Sequence, residues 1–467
     1  MKPSLRTLAS RRSAWGLTAL TLLLASCGGG GVGSPLTLSG EVHGLAPTLQ
    51  GRPTAGMLVL SVNGISQTFS TGSYADKTAI SFSRTFGVGE TYVIAVEKHP
   101  EGQICAVTRA GTGKLDAAVS DVRVDCHTTR LNDTGIAGTT SAEVTARAPD
   151  SQSGRDAERA KLTKVGSGAV GFDFTRICPT GEQADASGGC TAQVQWATAA
   201  NSCVRDNVTG LMWRRADTAY AGVVPADSER VCERVGWRAP TVHELLSIVH
   251  AGQASAPYVD TDFFNVASAR FFSSEIYRDL PQNERWTVDL ASAGMATKYS
   301  AGGGPEQRRA LWVSGTSALD DPASSAYTRS DVGTSYTIID TRRELMWLVP
   351  KVVSPSDWAA AVASIDAVRA AAPGGYTDWR LPNRNELDAL VNRSLANPAM
   401  DPAVSVAIPS PQAASVVYWT SSVDVGSPAR AWTIDFTYGD VSTMLKTSTA
   451  RLIYVRNRVF NPAPTTP

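Results

Sequence analysis

Few side chains of this 467-residue chain have the type and spacing for chemistry. His243 and Glu244 stand together at the start of an expected helix, but the metalloprotease pattern His-Glu-x-x-His needs a second His one turn later, and position 247 is Ser. His243 and His250 are the only histidines beyond residue 130, and no Gly-x-Ser-x-Gly elbow accompanies them. Both read as histidines on a helix surface. Asp289 and Asp435 are the right type for paired-carboxylate chemistry at a glycosidic bond. They belong to equivalent strands of two separate repeats, so turn or strand-end roles fit them better. Gly166-Ser167-Gly168-Ala169-Val170-Gly171 matches the dinucleotide fingerprint. That fingerprint works only between a strand and a helix N-terminus, and Phe172-Asp173-Phe174-Thr175 after it reads as a strand. The expectation is therefore no catalytic residue, no metal site and no cofactor. Calcium, which loops can hold through Asp, Asn and carbonyl oxygens, stays possible but unassigned.

The elements that position these residues begin with an export segment. Lys2, Arg6, Arg11 and Arg12 precede an uncharged stretch, Ala14 to Ala25, of signal-peptide length and too short to span a bilayer comfortably. It ends in Leu24-Ala25-Ser26-Cys27, which resembles the lipobox of bacterial lipoproteins. The resemblance implies a signal peptide over 1–26, an acylated Cys27, a Gly-rich tether over 27–35 and a lipid anchor as the membrane partner. Gly28 after the Cys implies the outer membrane or cell surface. Two or more acyl chains, at about 0.8 kcal/mol per buried CH₂, make such an anchor stable.

Export also bears on charge and cysteines. The chain balances 43 basic against 43 acidic residues, and loss of residues 1–26 removes four basic ones, leaving 39 against 43. A mildly acidic chain argues against a nucleic-acid partner. Outside the cytoplasm disulfides persist. Besides Cys27 there are Cys105, Cys126, Cys178, Cys190, Cys203 and Cys232, an even set. Chain order suggests local pairs, 105–126, 178–190 and 203–232, although spacing alone cannot choose among the possible connectivities. A zinc site is disfavoured by the lack of any CxxC.

Residues 36–127 read as an all-β module: Leu58–Val62, Ile80–Phe86, Thr91–Val96, Ile104–Val107 and Val122–Cys126 are strand-like, with Asn63-Gly64 as a hairpin turn. The module resembles the immunoglobulin-like modules of bacterial surface lipoproteins, which implies a sandwich whose two Cys staple its last strands and which spaces the rest from the membrane. Residues 128–170, poor in large apolar side chains, read as a linker or as an extension of the domain that begins at 171.

The last 270 residues contain an internal repeat. Asp206 through Trp213 aligns with Asp340 through Trp347, Trp237-Arg238-Ala239-Pro240 with Trp379-Arg380-Leu381-Pro382, and Glu244-Leu245 with Glu386-Leu387. Phe271 through Ser274 aligns with Tyr418 through Ser421, Trp286 through Leu290 with Trp432 through Phe436, and Arg309 through Val313 with Arg451 through Val455. Blocks in one order at drifting offsets near 140 indicate a duplicated domain with loop insertions, over 171–316 and 334–460, with a linker at 317–333 and a tail at 461–467. Each copy reads β-α-α-β-β-β. Ser356 reads as the N-cap of a helix to Ala371, and Thr241-x-x-Glu244 and Asn383-x-x-Glu386 have capping-box spacing. Trp213, Trp237, Trp286, Trp347, Trp379, Trp419 and Trp432 fall inside the repeated blocks and read as core rather than a sugar platform. Arg238 and Arg380 read as structural partners of a carboxylate or carbonyl.

These blocks resemble the Lcl C-terminal domain family, found at the end of bacterial collagen-like surface proteins. The second copy is the nearer match, through Gly375-Tyr376-Thr377-Asp378-Trp379-Arg380-Leu381-Pro382 and Trp419-Thr420-Ser421-Ser422. The resemblance implies two α+β, C-type-lectin-like domains and a non-catalytic adhesion or binding role toward glycans or surface proteins. Variable segments around 257–271, 278–285, 296–308 and 395–417 would carry the ligand. A sulfated glycan would need a local patch such as Arg308 and Arg309, or Arg451, Arg456 and Arg458. The alternatives are an enzyme-like relative of the formylglycine-generating fold, which would need reactive or metal-binding Cys, and a structural envelope protein.

Overall fold

The computed structural model describes residues 34–458, apart from 48–54, 73–76, 129, 138–149, 192, 220–224, 278–284, 299–307, 317–326, 353 and 408–415. The signal segment, Cys27, most of the tether and the tail lie outside the described residues. The chain is multidomain and mostly β.

The first unit is two sheets with an apolar core between them. Strands β1 (Leu36–His43), β4 (Lys77–Phe86), β6 (Gln103–Arg109) and β8 (Val119–Thr128) pair in the order β4-β1-β8-β6. Strands β2 (Leu58–Val62), β3 (Ile65–Phe69), β5 (Thr91–Lys98) and β7 (Thr112–Lys114) pair as β3-β2-β5-β7. Alternation explains the packing: in β5, Tyr92, Ile94 and Val96 point inward while Thr91, Val93 and Glu97 face out. The β2–β3 hairpin turns at Asn63 and Gly64 with φ of 48° and 80°, the left-handed pair that a two-residue hairpin demands. Cys105 lies opposite Cys126 across β6 and β8 and is bonded to it.

The two repeats each build an antiparallel four-stranded sheet in the same order. In the first it is β9 (Phe174–Ile177), β10 (Cys203–Asp206), β11 (Met212–Arg214) and β17 (Val313–Ser314); in the second, β18 (Tyr327–Val332), β19 (Ser335–Asp340), β20 (Leu345–Pro350) and β24 (Tyr454–Asn457). The single opening strand expected for each copy is thus three. The strand Tyr327–Val332 that pairs with β19 lies inside the segment read as linker.

The remaining strands join across the copies. The first contributes β12 (Thr218–Ala219), β13 (Arg270–Ile276), β14 (Arg285–Asp289), β15 (Met295–Lys298) and β16 (Arg308–Ala310); the second contributes β21 (Val417–Val423), β22 (Arg430–Asp435) and β23 (Asp440–Leu445). They form one eight-stranded sheet, β12-β16-β13-β14-β15-β23-β22-β21. The joint is Ala296 opposite Val441. These are equivalent residues of the two copies, each two positions after the glycine of its β-turn (Gly294, Gly439), so a pseudo-twofold axis passes between them. One hydrophobic core runs through both copies, from Ile136 to Val455.

Helices are few. Val242–Ser247 and Arg384–Asp388 both start on complete capping boxes, at Thr241/Glu244 and Asn383/Glu386. The long helix of the second copy spans Trp358–Ala371, and its cap is Asp357, whose side chain accepts from the Ala360 N–H. Ser356, expected in that role, instead pairs through its backbone with Ala450. The first copy has no counterpart to this helix among the described residues. There Cys232 and Glu233 have φ of 50° and 56°, which a helix cannot accept, and the Cys203–Cys232 bond ties the segment to β10.

Candidate functional site

The repeated Trp-Arg-x-Pro block sets up the same ion pair twice. A β-bridge, Arg238 to Val313 in one copy and Arg380 to Val455 in the other, fixes the backbone of each Arg beside its helix cap. Arg380 then holds Glu386 through two bonds of 2.7 and 2.6 Å, and Arg238 holds Glu244 through 2.7 and 2.6 Å. Each Glu oxygen bound by Nη1 also accepts from the cap residue's own N–H, at 2.9 Å in both copies. A fork that binds a carboxylate in two places and a helix start are thereby welded together. Exposure separates the copies: the Arg238 side chain is 36% exposed, Arg380 only 8%.

Arg380 is covered by the segment that composition reads as a linker. Residues 131–136 and 150–157 are irregular or short helical turns, yet 132–136, Asp150, Arg155 and Asp156 are buried and the segment forms a polar clasp on the second copy. Asn383 donates to Asp133 at 2.8 Å, Asn385 donates to the carbonyls of Asn132 and Asp133 at 3.1 Å, and Ser422 donates to Asp150 at 2.6 Å. Within the clasp, Thr134 donates to Asp150, and Asp156 accepts from the N–H groups of Gly135 and Gly171. Burial is the main force on these carboxyls. It pushes Asp150 up to about 7 against the hydroxyls that bind it, and Asp156 up to about 6 against its two backbone donors. Asp133 rises well above its ordinary value through burial and the nearby Asp156, Asp150 and Glu386. Asp206, fully buried at the end of β10, rises to about 6 for the same first reason, and Asn132 donates to it at 2.6 Å.

Where clasp, sandwich and second copy meet there is a cleft, lined among others by His127, Arg130, Asp133, Arg155, Arg343 and Asn383. With a cavity volume of about 40 Å³, it has room for roughly three waters. Its charged groups are largely committed: Glu386 to Arg380, Arg343 to Asp340 at 2.9 Å, Arg155 to the Gly171 carbonyl at 2.8 Å.

The seam between the copies holds the histidine that the sequence places on a helix surface. The His243 side chain is only 10% exposed. Its Nδ1 meets Asp388 Oδ2 at 2.5 Å and its Nε2 meets the Val391 carbonyl at 3.0 Å. His250 is likewise packed, its ring 5.7 Å from that of Phe172 with Gly135 against Nδ1, and burial lowers its proton affinity. Both corrections have one cause, a partner surface (the second copy for His243, the clasp for His250) that helical periodicity does not reveal.

The other candidates resolve by position. Trp213, Trp237, Trp286, Trp347, Trp379, Trp419 and Trp432 are all at most 2% exposed, so none offers a face to a sugar. Asp289 accepts from the Ala291 N–H and Asp435 from the Thr437 N–H, which makes each the closing residue of a β-turn. The six described cysteines form the bonds 105–126, 178–190 and 203–232, leaving no thiolate among them for nucleophilic or metal chemistry. Cys178, Glu182 and Cys190 do bring ligand atoms within 4.8 Å of one another, but the two sulfurs are bonded to each other. The fingerprint-like glycines close an irregular turn onto β9, where Ser167 bridges to Phe174 and no helix follows.

The proposed arginine patches are engaged: Arg309 pairs with Asp217, Arg456 with Asp378 at 2.7 Å, and Arg458 with Glu344 at 3.8 Å. The Arg308 side chain is outside the described residues. Of the variable segments, 257–271 is partly core, since Val259, Phe263, Phe264 and Phe271 are buried, and in 395–417 Met400 and Val404 are buried. Segments 278–284, 299–307 and 408–415 are outside the described residues.

No curated protein matches the chain. The family model of the Lcl C-terminal domain matches it over residues 202–312 and again over 336–456, the two units built around Arg238–Glu244 and Arg380–Glu386. The chain is thus similar to two copies of that domain in tandem.

Proposed function

We propose that this chain is a lipid-anchored protein of the outer membrane or cell surface whose paired, lectin-like domains bind an extracellular glycan or surface protein without transforming it. An immunoglobulin-like sandwich spaces the pair from an anchor at Cys27. The observation that carries the reading is how the two copies divide their residues. Everything repeated between them serves structure: buried Trp side chains, the Arg–Glu fork on a helix cap, the Asp that closes a β-turn. What differs is the connecting segments around 257–271, 278–285, 296–308 and 395–417. A scaffold kept twice with unlike loops is the pattern of a recognition module.

The test is binding of the full exported chain, in detergent, to arrays of neutral, acidic and sulfated glycans and of extracellular matrix proteins. Saturable binding that survives physiological salt supports the proposal. Silence across all panels refutes it. Binding lost on adding salt would identify only charge attraction, which a net acidic chain with paired arginines offers weakly.

A further inference from the structure

The pseudo-twofold seam is not symmetric in its chemistry. His243 and Asn385 occupy equivalent positions in the two capping-box helices. Each reaches across the axis toward the other copy's helix end: Asn385 Nδ2 lies 3.5 Å from the Leu246 carbonyl, and His243 Nε2 lies 3.0 Å from the Val391 carbonyl. An amide NH₂ donates at any pH. An imidazole changes its number of donors across the physiological range.

Both ring nitrogens of His243 face acceptors. Val391 O can only accept, so Nε2 must carry a proton. Asp388 is 1% exposed, and Arg393 donates to its Oδ1 at 2.5 Å. Burial alone would raise this carboxyl, but the charge of Arg393 leads the effects that hold it below the ordinary range. An ionised carboxylate also only accepts, so Nδ1 must carry a proton too. The two arginines at the seam are also held by backbone carbonyls. Arg393 continues to the Gly439 carbonyl at 2.8 Å, and Arg384 donates to the Ala293 carbonyl at 2.6 Å while its charge acts on Asp388.

We infer that His243 is an imidazolium that locks the two domains together, and that losing one of its protons loosens the seam. The neutral ring satisfies only one of its two acceptors, leaving either the buried Val391 carbonyl without the His243 bond or Asp388 Oδ2 with only a long bond of 3.5 Å from Arg393. A group charged in the closed seam stabilises it at low pH and stops doing so as the pH rises. Arg393 keeps its hold on Asp388 throughout, so the seam loosens and does not come apart.

The experiment uses the full chain in detergent with ¹⁵N-labelled histidine. The ring signals of the five histidines are assigned by single His→Gln substitutions. At about pH 6, the inference expects two protonated nitrogens on His243. It also expects hydrogen exchange in Val242–Ser247 and Arg384–Asp388, corrected for intrinsic rates, to quicken about tenfold between roughly pH 6 and pH 8. In H243Q that pH dependence shrinks to the part the clasp carboxyls supply, which Asp150→Asn reduces in turn. A single protonated nitrogen on His243 at the lower pH overturns the inference, and so does an unchanged pH profile in H243Q. The nitrogen measurement needs no variant, so a poorly folding H243Q does not rescue the idea.

Discussion

Removing the charge of Glu386 and of Glu244, one at a time, tests how far burial governs this fold. The two sites share the same fork and differ chiefly in exposure to water. In each, Arg makes two bonds to Glu of 2.6 and 2.7 Å, the Glu closes a capping box, and a further acceptor sits near Arg Nη2: the Gly315 carbonyl at 3.0 Å in the first copy and Asn457 Oδ1 at 3.2 Å in the second. Gln at either position keeps the size and the capping bond, and removes the charge and one acceptor. With Glu386→Gln the guanidinium of Arg380, 8% exposed, is left as an uncompensated buried charge, which costs about 3–5 kcal/mol. With Glu244→Gln the guanidinium of Arg238, 36% exposed, turns to water, and the loss falls to about 1 kcal/mol. Denaturant unfolding of the two variants beside the parent chain, followed by Trp fluorescence, should place E386Q below E244Q by about 2 kcal/mol or more. Arg380→Met combined with Glu386→Met should be milder than E386Q alone, because no charge is left behind. Equal losses at the two sites, or a larger one at Glu244, would refute the argument that solvent access sets the energy.

The clasp should make the chain sensitive to base. Asp150, Asp156 and Asp206 hold their protons to about 7, 6 and 6 in the fold against 3.8 when exposed, so the folded state binds more protons than the unfolded one, and stability falls as the pH climbs from about 4 to 7. Asp150→Asn, which cannot ionise, should flatten part of that slope in melting curves across the range; an unchanged slope would show that the carboxyl is already charged at low pH. Replacing Cys203 and Cys232 together by Ser opens a loop of 29 residues and should cost about 3–4 kcal/mol. Thiol titration of the untreated, denatured chain checks the pairing, with no reactive thiol expected from these six cysteines.

Legibility in the sequence tracks how local the determining interaction is. The capping boxes and the Asn63-Gly64 hairpin are readable because their partners lie close in sequence, and Arg238 and Arg380 are readable as structural, though not as partners of Glu244 and Glu386 in particular. The Trp residues are readable as core because they recur in register between copies. Asp133, Asp150 and Asp156 are not, since a polar interior has the composition of a loop and only the donors brought by Asn383, Ser422 and Gly171 distinguish the two. His243 escapes a sequence reading because its acceptors lie 145 and 148 residues away. Among the described residues the first copy lacks the long helix of the second, and there Cys232 and Glu233 take positive φ beside the Cys203–Cys232 bond, which a pattern borrowed from the second copy does not show.

The pairing of Ala296 with Val441 also bears on assembly. Contact between equivalent residues about a twofold axis is the geometry of a closed homodimer. The tandem chain therefore holds within one polypeptide a contact of the kind two identical subunits make. Such a surface is used up once two copies have met, so a third copy could not extend the sheet at this edge, and neither half could be shuffled elsewhere without baring the strand its sibling covers.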